Sequence, residues 1–159
     1  MTDDTLLRTL AEQEERLVFR RFTAETALDL GAHVLAGARS RGLAVTIAVR
    51  VGRQRAFHAA LPGTSLDNDE WLDRKARVVE RYGKSSFRVG EQFRVDGSTF
   101  DEKSRLDTAL YAAHGGVFPV IVRNVGVVGS VGVSGLPQAD DHALVVELVE
   151  DFLEHGYDS

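Results

Sequence analysis

The segment Tyr111 to Val120, YAAHGGVFPV, places a histidine directly before two glycines. Successive glycine N–H groups can converge on a carboxylate or phosphate, and the imidazole of His114 adds a donor, a base or a metal ligand. The alternative is a glycine-rich connection whose histidine only hydrogen-bonds a carbonyl. We interpret His114, Gly115 and Gly116 as a candidate ligand-binding turn, with Tyr111 as a wall residue.

A second histidine, His58, lies between the small apolar residues Ala56 and Ala60. Burial in such a setting favours the neutral ring, which suits ligation of haem iron or a polar contact in an apolar pocket. The alternative is a core histidine whose hydrogen bonds are satisfied within the protein. His58 is therefore a candidate ligand contact.

Trp71 and Lys75 are four residues apart in a segment with helical periodicity, so they share a helix face. Lys75 can pair with a propionate or another carboxylate on that face. The alternative is a core or interface tryptophan beside a solvated lysine. Both residues are candidate ligand contacts.

Ser134 precedes Gly135 at the end of a strand-like segment, which invites comparison with a nucleophile elbow. Leu136 and Pro137 intervene before the next helix, so the tight strand-turn-helix geometry is absent and no catalytic triad follows. Ser134 remains a candidate ligand contact without a catalytic role.

The run Asp140, Asp141 and His142 has the residue types of a metal site, but consecutive helical residues point in different directions and would not converge on one ion. Helix capping and the helix dipole explain the two acids better. The five histidines of the chain show no HExxH motif, and cysteine is absent, which excludes thiolate chemistry and cysteine zinc sites. We predict no dedicated metal site.

The composition is that of one ordinary globular domain of 159 residues, 43% hydrophobic and 27% charged. The net charge of −5 provides no positive field for phosphate backbones, so we expect no nucleic-acid partner. Neither a signal peptide nor an apolar run of about 18 residues is visible. We therefore expect a cytoplasmic protein without a membrane partner.

The elements that must position these residues begin with a peripheral amphipathic helix over residues 1–16 and a second helix capped by Thr23 and stopped by Gly42. An alternating strand then turns at Gly52 and Arg53. In the resulting hairpin register, His58 lies opposite Ile47 and shares its face.

A third helix, with Asp67 as its expected N-cap, carries Trp71 and Lys75. After a weaker segment with a short helix, a second hairpin contains Pro119, which marks an edge strand or one that pairs late. A last helix starts near Pro137. The pattern predicts one α/β (α+β) domain with a mostly antiparallel sheet covered by helices.

The segments AAHGGVFPV and VGVVGSVGVSGLPQADDHALV resemble the GlcG/HbpS-like family, whose members are often labelled haem-degrading-domain proteins. HAALPGTSLDNDEWLDRKARVV is similar to the branch of small, uncharacterised cytoplasmic members. The resemblance implies a profilin-like fold with a five-stranded antiparallel sheet and a symmetric homo-oligomer. It also implies a capacity to bind haem or another small organic ligand, which varies across the family.

Three classes of function follow from these observations. The leading hypothesis is an oligomeric protein that binds haem or a small carboxylate-bearing ligand near His58, His114 and the two glycines. The first alternative is an interaction or adaptor protein whose assembly surface is the function. The second is an enzyme that degrades haem or modifies a small organic acid.

Overall fold

The computed structural model of the protein describes residues 3–157, which fold into helices on both faces of one sheet. The helices are α1 (Asp3–Arg16), α2 (Ala24–Ser40), α3 (Leu66–Tyr82), α4 (Ser86–Val95), α5 (Phe100–Ser104) and α6 (Gln138–Asp151), which continues as a π-helical turn over Phe152–Gly156. The strands are β1 (Val18–Phe19), β2 (Thr46–Val51), β3 (Gln54–Ala60), β4 (Val117–Val122) and β5 (Gly126–Ser134).

The sheet has five strands in the order β1-β4-β5-β2-β3. The expected five-stranded α+β architecture is confirmed, and the sheet is mostly antiparallel, as the pattern predicts. It departs at one edge from the antiparallel sheet that the family resemblance implied. There β1 runs parallel to β4, with Val18 opposite Ile121. Parallel pairing needs a long crossover connection, and the chain between β1 and β4 supplies it.

Pro119 does not lie in an edge strand, since β4 has β5 along one side and β1 along part of the other. On the β1 side, pairing begins only at Ile121. At Pro119, β4 therefore has no paired strand on the β1 side. This explains why a residue without an N–H donor is tolerated there.

The first hairpin turns at Gly52 and Arg53 as expected, and Gly52 has a φ of 58°. A register shift between Val49 and Arg50 then displaces the pairing by one residue, so His58 lies opposite Ala48 rather than Ile47. Because a one-residue shift turns every following side chain to the other face, His58 projects towards α3. Its predicted place beside Ile47 is wrong.

The two faces of the sheet carry separate clusters. Ile47, Val131 and Phe118 belong to the large core that α2 and α6 cover. Ala48 and Val117 pack with Leu72, Ala76 and Val79 of α3 on the opposite face. The α3 face is therefore where the candidate site is built.

Local signals account for most helix ends. Thr23 caps α2 and Gly42 follows it with a φ of 64°, both as expected. The N-cap of α3 is Ser65, which forms a reciprocal capping box with Asn68, so the assignment to Asp67 is wrong by two residues.

Helix α1 covers the predicted N-terminal helix except residues 1 and 2, which lie outside the described part. It packs against α4 and buries Leu10 and Glu14. Glu14 accepts hydrogen bonds from the Ser85 N–H (3.0 Å) and from Arg88 (2.6 Å). These contacts attach α1 to the domain.

Candidate functional site

A cavity of about 220 Å³ lies between the N-terminal half of α3, the loop before β4 and the β5–α6 connection. Four of the predicted ligand contacts line or adjoin it: Trp71, Lys75, His114 and Ser134. Helix α3 presents the first two from one face, as their spacing predicts. The remaining wall comes from the start of α6.

Lys75 forms a buried ion pair at this cavity. Its side chain is 4% exposed, and Nζ donates to Asp141 Oδ2 at 3.1 Å. The Asp141 carboxylate, 1% exposed, also accepts the Leu136 N–H (2.9 Å) and the Gly135 N–H (3.4 Å). Asp141 thus joins α3 to the β5–α6 connection.

Burial acts on both members of this pair in opposite senses. Desolvation lowers the pKa of Lys75, and the Asp141 carboxylate opposes that shift. Desolvation raises the pKa of Asp141, and the Lys75 ammonium opposes it. Burial favours the neutral forms, whereas the attraction between the partners favours the charged ones.

His114 lies half-buried beside Trp71, with the two ring centroids 5.2 Å apart at 66°. Burial, and next the positive charge of Lys75, lower the pKa of His114. The ring is therefore neutral at physiological pH and offers one donor and one acceptor. On the outer side of Trp71, the Arg74 guanidinium lies 4.1 Å from the indole centroid.

The two glycines permit a close approach of backbone to neighbouring groups. A Cβ on Gly116, whose φ is 140°, would lie 2.6 Å from the Val133 oxygen and 2.7 Å from Lys75 Nζ. The Gly115 N–H donates to Gln138 Oε1 at 2.9 Å, so this donor is occupied by the protein itself. The glycines bring the loop against Lys75 and α6.

Two predicted contacts lie elsewhere. His58 Nε2 lies 2.6 Å from Asp69 Oδ1, and its side chain is about one-third exposed, so His58 is a partly exposed histidine beside α3 and not a buried one beside Ile47. Tyr111 lines a different recess, where the Arg81 guanidinium is 5.9 Å from its ring. The structure separates both residues from the cavity at Lys75.

Asp141 is the site residue that sequence reasoning missed, because it was interpreted only as a helix-start acid. It lies three and four residues before Leu144 and Val145, on the apolar stripe of α6. Lys75 lies likewise on the stripe of Leu72 and Val79. An acid on one apolar helix stripe and a lysine on another indicate a buried ion pair, because each buried charge needs a partner of opposite sign.

Residues 3–157 contain no group of three or more histidine or acidic side chains placed to hold a metal ion. In the same range, every helix is too short or too polar to cross a membrane.

A mixed five-stranded sheet, with α2 and α6 on one face and α3 on the other, defines a profilin-like α/β protein with a buried lysine at a small cavity. The chain belongs to the HbpS-like family, described as haem degrading protein HbpS-like, whose model matches residues 22–150. The expected family and fold are confirmed.

Its relatives include a UPF0303 protein of Streptomyces coelicolor, 58% identical over 144 residues and covering 91% of each chain. A UPF0303 protein of Azotobacter vinelandii is 45% identical over 154 residues, 97% of this chain and 93% of the relative. Their name states no activity.

Solved structures share the fold. The Ybr137w protein superposes with a TM-score of 0.85 and 29% identity, over 96% of this chain and 90% of that one. HbpS gives a TM-score of 0.66 at 18% identity, over 85% and 92% of the chains. A PduOC:heme complex gives 0.64 at 15% identity, over 77% and 88%. The last two establish the fold alone.

Proposed function

We propose that the protein binds a small carboxylate-bearing molecule at the Lys75 cavity. The observation that carries this proposal is the buried ammonium. An ammonium has three donors, and within residues 3–157 Asp141 is the hydrogen-bond partner of Lys75 Nζ. The remaining donors suit an acceptor oxygen, such as that of a carboxylate.

The size and lining of the cavity limit the ligand. A water molecule occupies about 30 Å³ of liquid, so 220 Å³ corresponds to about seven waters. The indole of Trp71 supplies a flat apolar wall, and the neutral ring of His114 supplies one donor or acceptor. This combination favours a compact organic acid with an apolar body.

Haem is the second candidate, because the family description and the neutral His114 favour it. The cavity of one chain does not enclose a tetrapyrrole: 220 Å³ is below the range of about 300–1,000 Å³ typical for drug-sized ligands. In this second candidate function, haem lies at the rim of the cavity or between chains, with His114 as its ligand.

Self-association is proposed together with ligand binding, as the family resemblance implies. The end of the β4–β5 hairpin supports it, since Val125 and Val127 expose 71% and 42% of their surface. Exposed branched apolar side chains of this kind favour a contact with another protein surface. An adaptor role would use the same assembled surface.

One experiment tests ligand and assembly together: native mass spectrometry of the purified protein, followed by calorimetric titration with benzoate. We expect a mass that is a multiple of the chain mass, and benzoate binding at one site per chain.

His114→Gln is expected to weaken benzoate binding at least tenfold, whereas the matched control His58→Gln, outside the cavity, changes it less than twofold. Equal effects of the two substitutions, or no binding by the natural chain, would refute the cavity. A monomer would refute self-association.

Titration of haemin into the same three proteins tests the second candidate. A Soret shift in the natural chain and in His58→Gln, lost in His114→Gln, is the expected result for haem ligation at His114. An unchanged spectrum in all three excludes it. Adding a reductant then distinguishes binding, in which the haem spectrum persists, from turnover, in which haem is consumed in proportion to the protein.

A further inference from the structure

We propose that a second recess, between α3 and the β2–β3 hairpin, binds a small molecule that carries two phosphate groups. This arginine recess is lined by Arg50, Arg53, Arg55, Arg77 and Arg81 and has a volume of about 570 Å³. It shares none of its lining residues with the Lys75 cavity. The inference is therefore independent of the proposed function.

Charge imbalance is the first argument. Two carboxylates line the recess: Asp73, shared by Arg50 (2.5 Å) and Arg55 (3.3 Å), and Glu80, paired with Arg53 (2.5 Å). Five guanidinium groups against two carboxylates leave an excess of three positive charges, on a chain whose net charge is −5. Positive charge is thus concentrated at one place on an acidic protein.

The guanidinium groups are close enough to repel one another. Arg50 is the deepest, with a side chain 10% exposed. Burial lowers its pKa, Asp73 opposes that shift, and the nearby charges of Arg55 and Arg77 add to the lowering. A bound anion would offset this repulsion at the deep end of the recess.

The geometry of arginine favours phosphate as that anion, because a planar guanidinium can donate two parallel hydrogen bonds to a phosphate group. A phosphate monoester carries about −1.5 to −2 charges at neutral pH, so two phosphates match the excess of three charges. Tyr111 and Leu110 form an apolar side wall for an organic part. The volume lies within the usual range for small-molecule sites of about 300–1,000 Å³.

Isothermal titration with inorganic pyrophosphate, at fixed ionic strength, tests the proposal. The natural chain is expected to bind pyrophosphate at least tenfold more tightly than orthophosphate. The double variant Arg53→Gln/Arg55→Gln should weaken binding at least tenfold, and its exposed side chains (86% and 48%) make loss of folding unexpected. Circular dichroism checks that the fold is retained.

Arg123→Gln is the control for lost charge, because Arg123 is exposed in the β4–β5 turn and its loss lowers the net charge by one, against two for the double variant. We expect less than a twofold effect from Arg123→Gln and from His114→Gln. No measurable binding by the natural chain, equal affinity for the two anions, or an equal loss in Arg123→Gln would each overturn the proposal.

Discussion

Replacing Asp141 by alanine is expected to lower the free energy of unfolding by about 3–5 kcal/mol, the usual cost of breaking a buried pair by removing one partner. The substitution leaves the Lys75 ammonium buried without its carboxylate. It also removes the acceptor of the Leu136 N–H in the β5–α6 connection. Urea denaturation at pH 7 measures the change.

Asp140→Ala is the matched control, since Asp140 lies in the same first helical turn but is exposed. It should cost only about 0.3–1 kcal/mol, the stabilisation that an acid gains from the helix dipole.

A double variant, Lys75→Met/Asp141→Asn, removes both charges and keeps an acceptor for Leu136. It should lose less than the sum of its two single variants. If the losses of unfolding free energy in the two single variants were additive, or if Asp140→Ala and Asp141→Ala cost the same, the proposal that the Lys75–Asp141 pair stabilises the fold would be contradicted.

Acidification from pH 7 to pH 5 is expected to destabilise the fold through His142, by about 2 kcal/mol relative to a His142→Gln variant. Burial lowers the pKa of His142 from 6.5 to about 4. The unfolded chain therefore binds the proton first, and stability is lost as the pH falls from about 6.5 towards 4. Stability falls with pH because the folded state binds fewer protons at His142 than the unfolded state does.

The surroundings of His142 explain this cost. Its Nε2 lies 2.7 Å from Gln13 Oε1, so Nε2 carries the proton and Nδ1 is the free acceptor. Nδ1 is buried without a hydrogen-bond partner among residues 3–157, with Phe87 and Phe118 beside the ring. Protonation would create an unpaired buried charge there.

Urea denaturation of both proteins at pH 7 and pH 5 isolates this effect, because the other titrating groups are common to both. His155→Gln is a further control, since it removes one exposed histidine from the π-helical turn and leaves His142 and its contacts in place. If His142→Gln lost as much stability on acidification as the natural chain, His142 would not be the responsible group.

Much of the local architecture could be predicted from the sequence. Thr23 and Gly42 bound α2 as expected, the turn at Gly52 is where the alternating pattern ends, and the spacing of Trp71 and Lys75 places both on one side of α3. These features depend on backbone conformation and helical or strand periodicity, which neighbouring residues determine.

The candidate site was predictable only in part. Trp71, Lys75, His114 and Ser134 do meet at one cavity, but His58 and Tyr111 lie outside it. The shift that moves His58 comes from a bulge, which the alternating pattern does not reveal. One extra residue in a strand reverses every later side chain, so a small error in register becomes a large error in position.

The sequence by itself determined the family, the order of helices and hairpins, and the helix faces that carry the polar residues. Only the tertiary structure decided that Lys75 meets Asp141, 66 residues away, that five arginines share one recess, and that β1 pairs parallel to β4. The physical reason is that periodicity and capping act over a few residues, whereas ion pairs, strand partners and cavities depend on how distant elements pack.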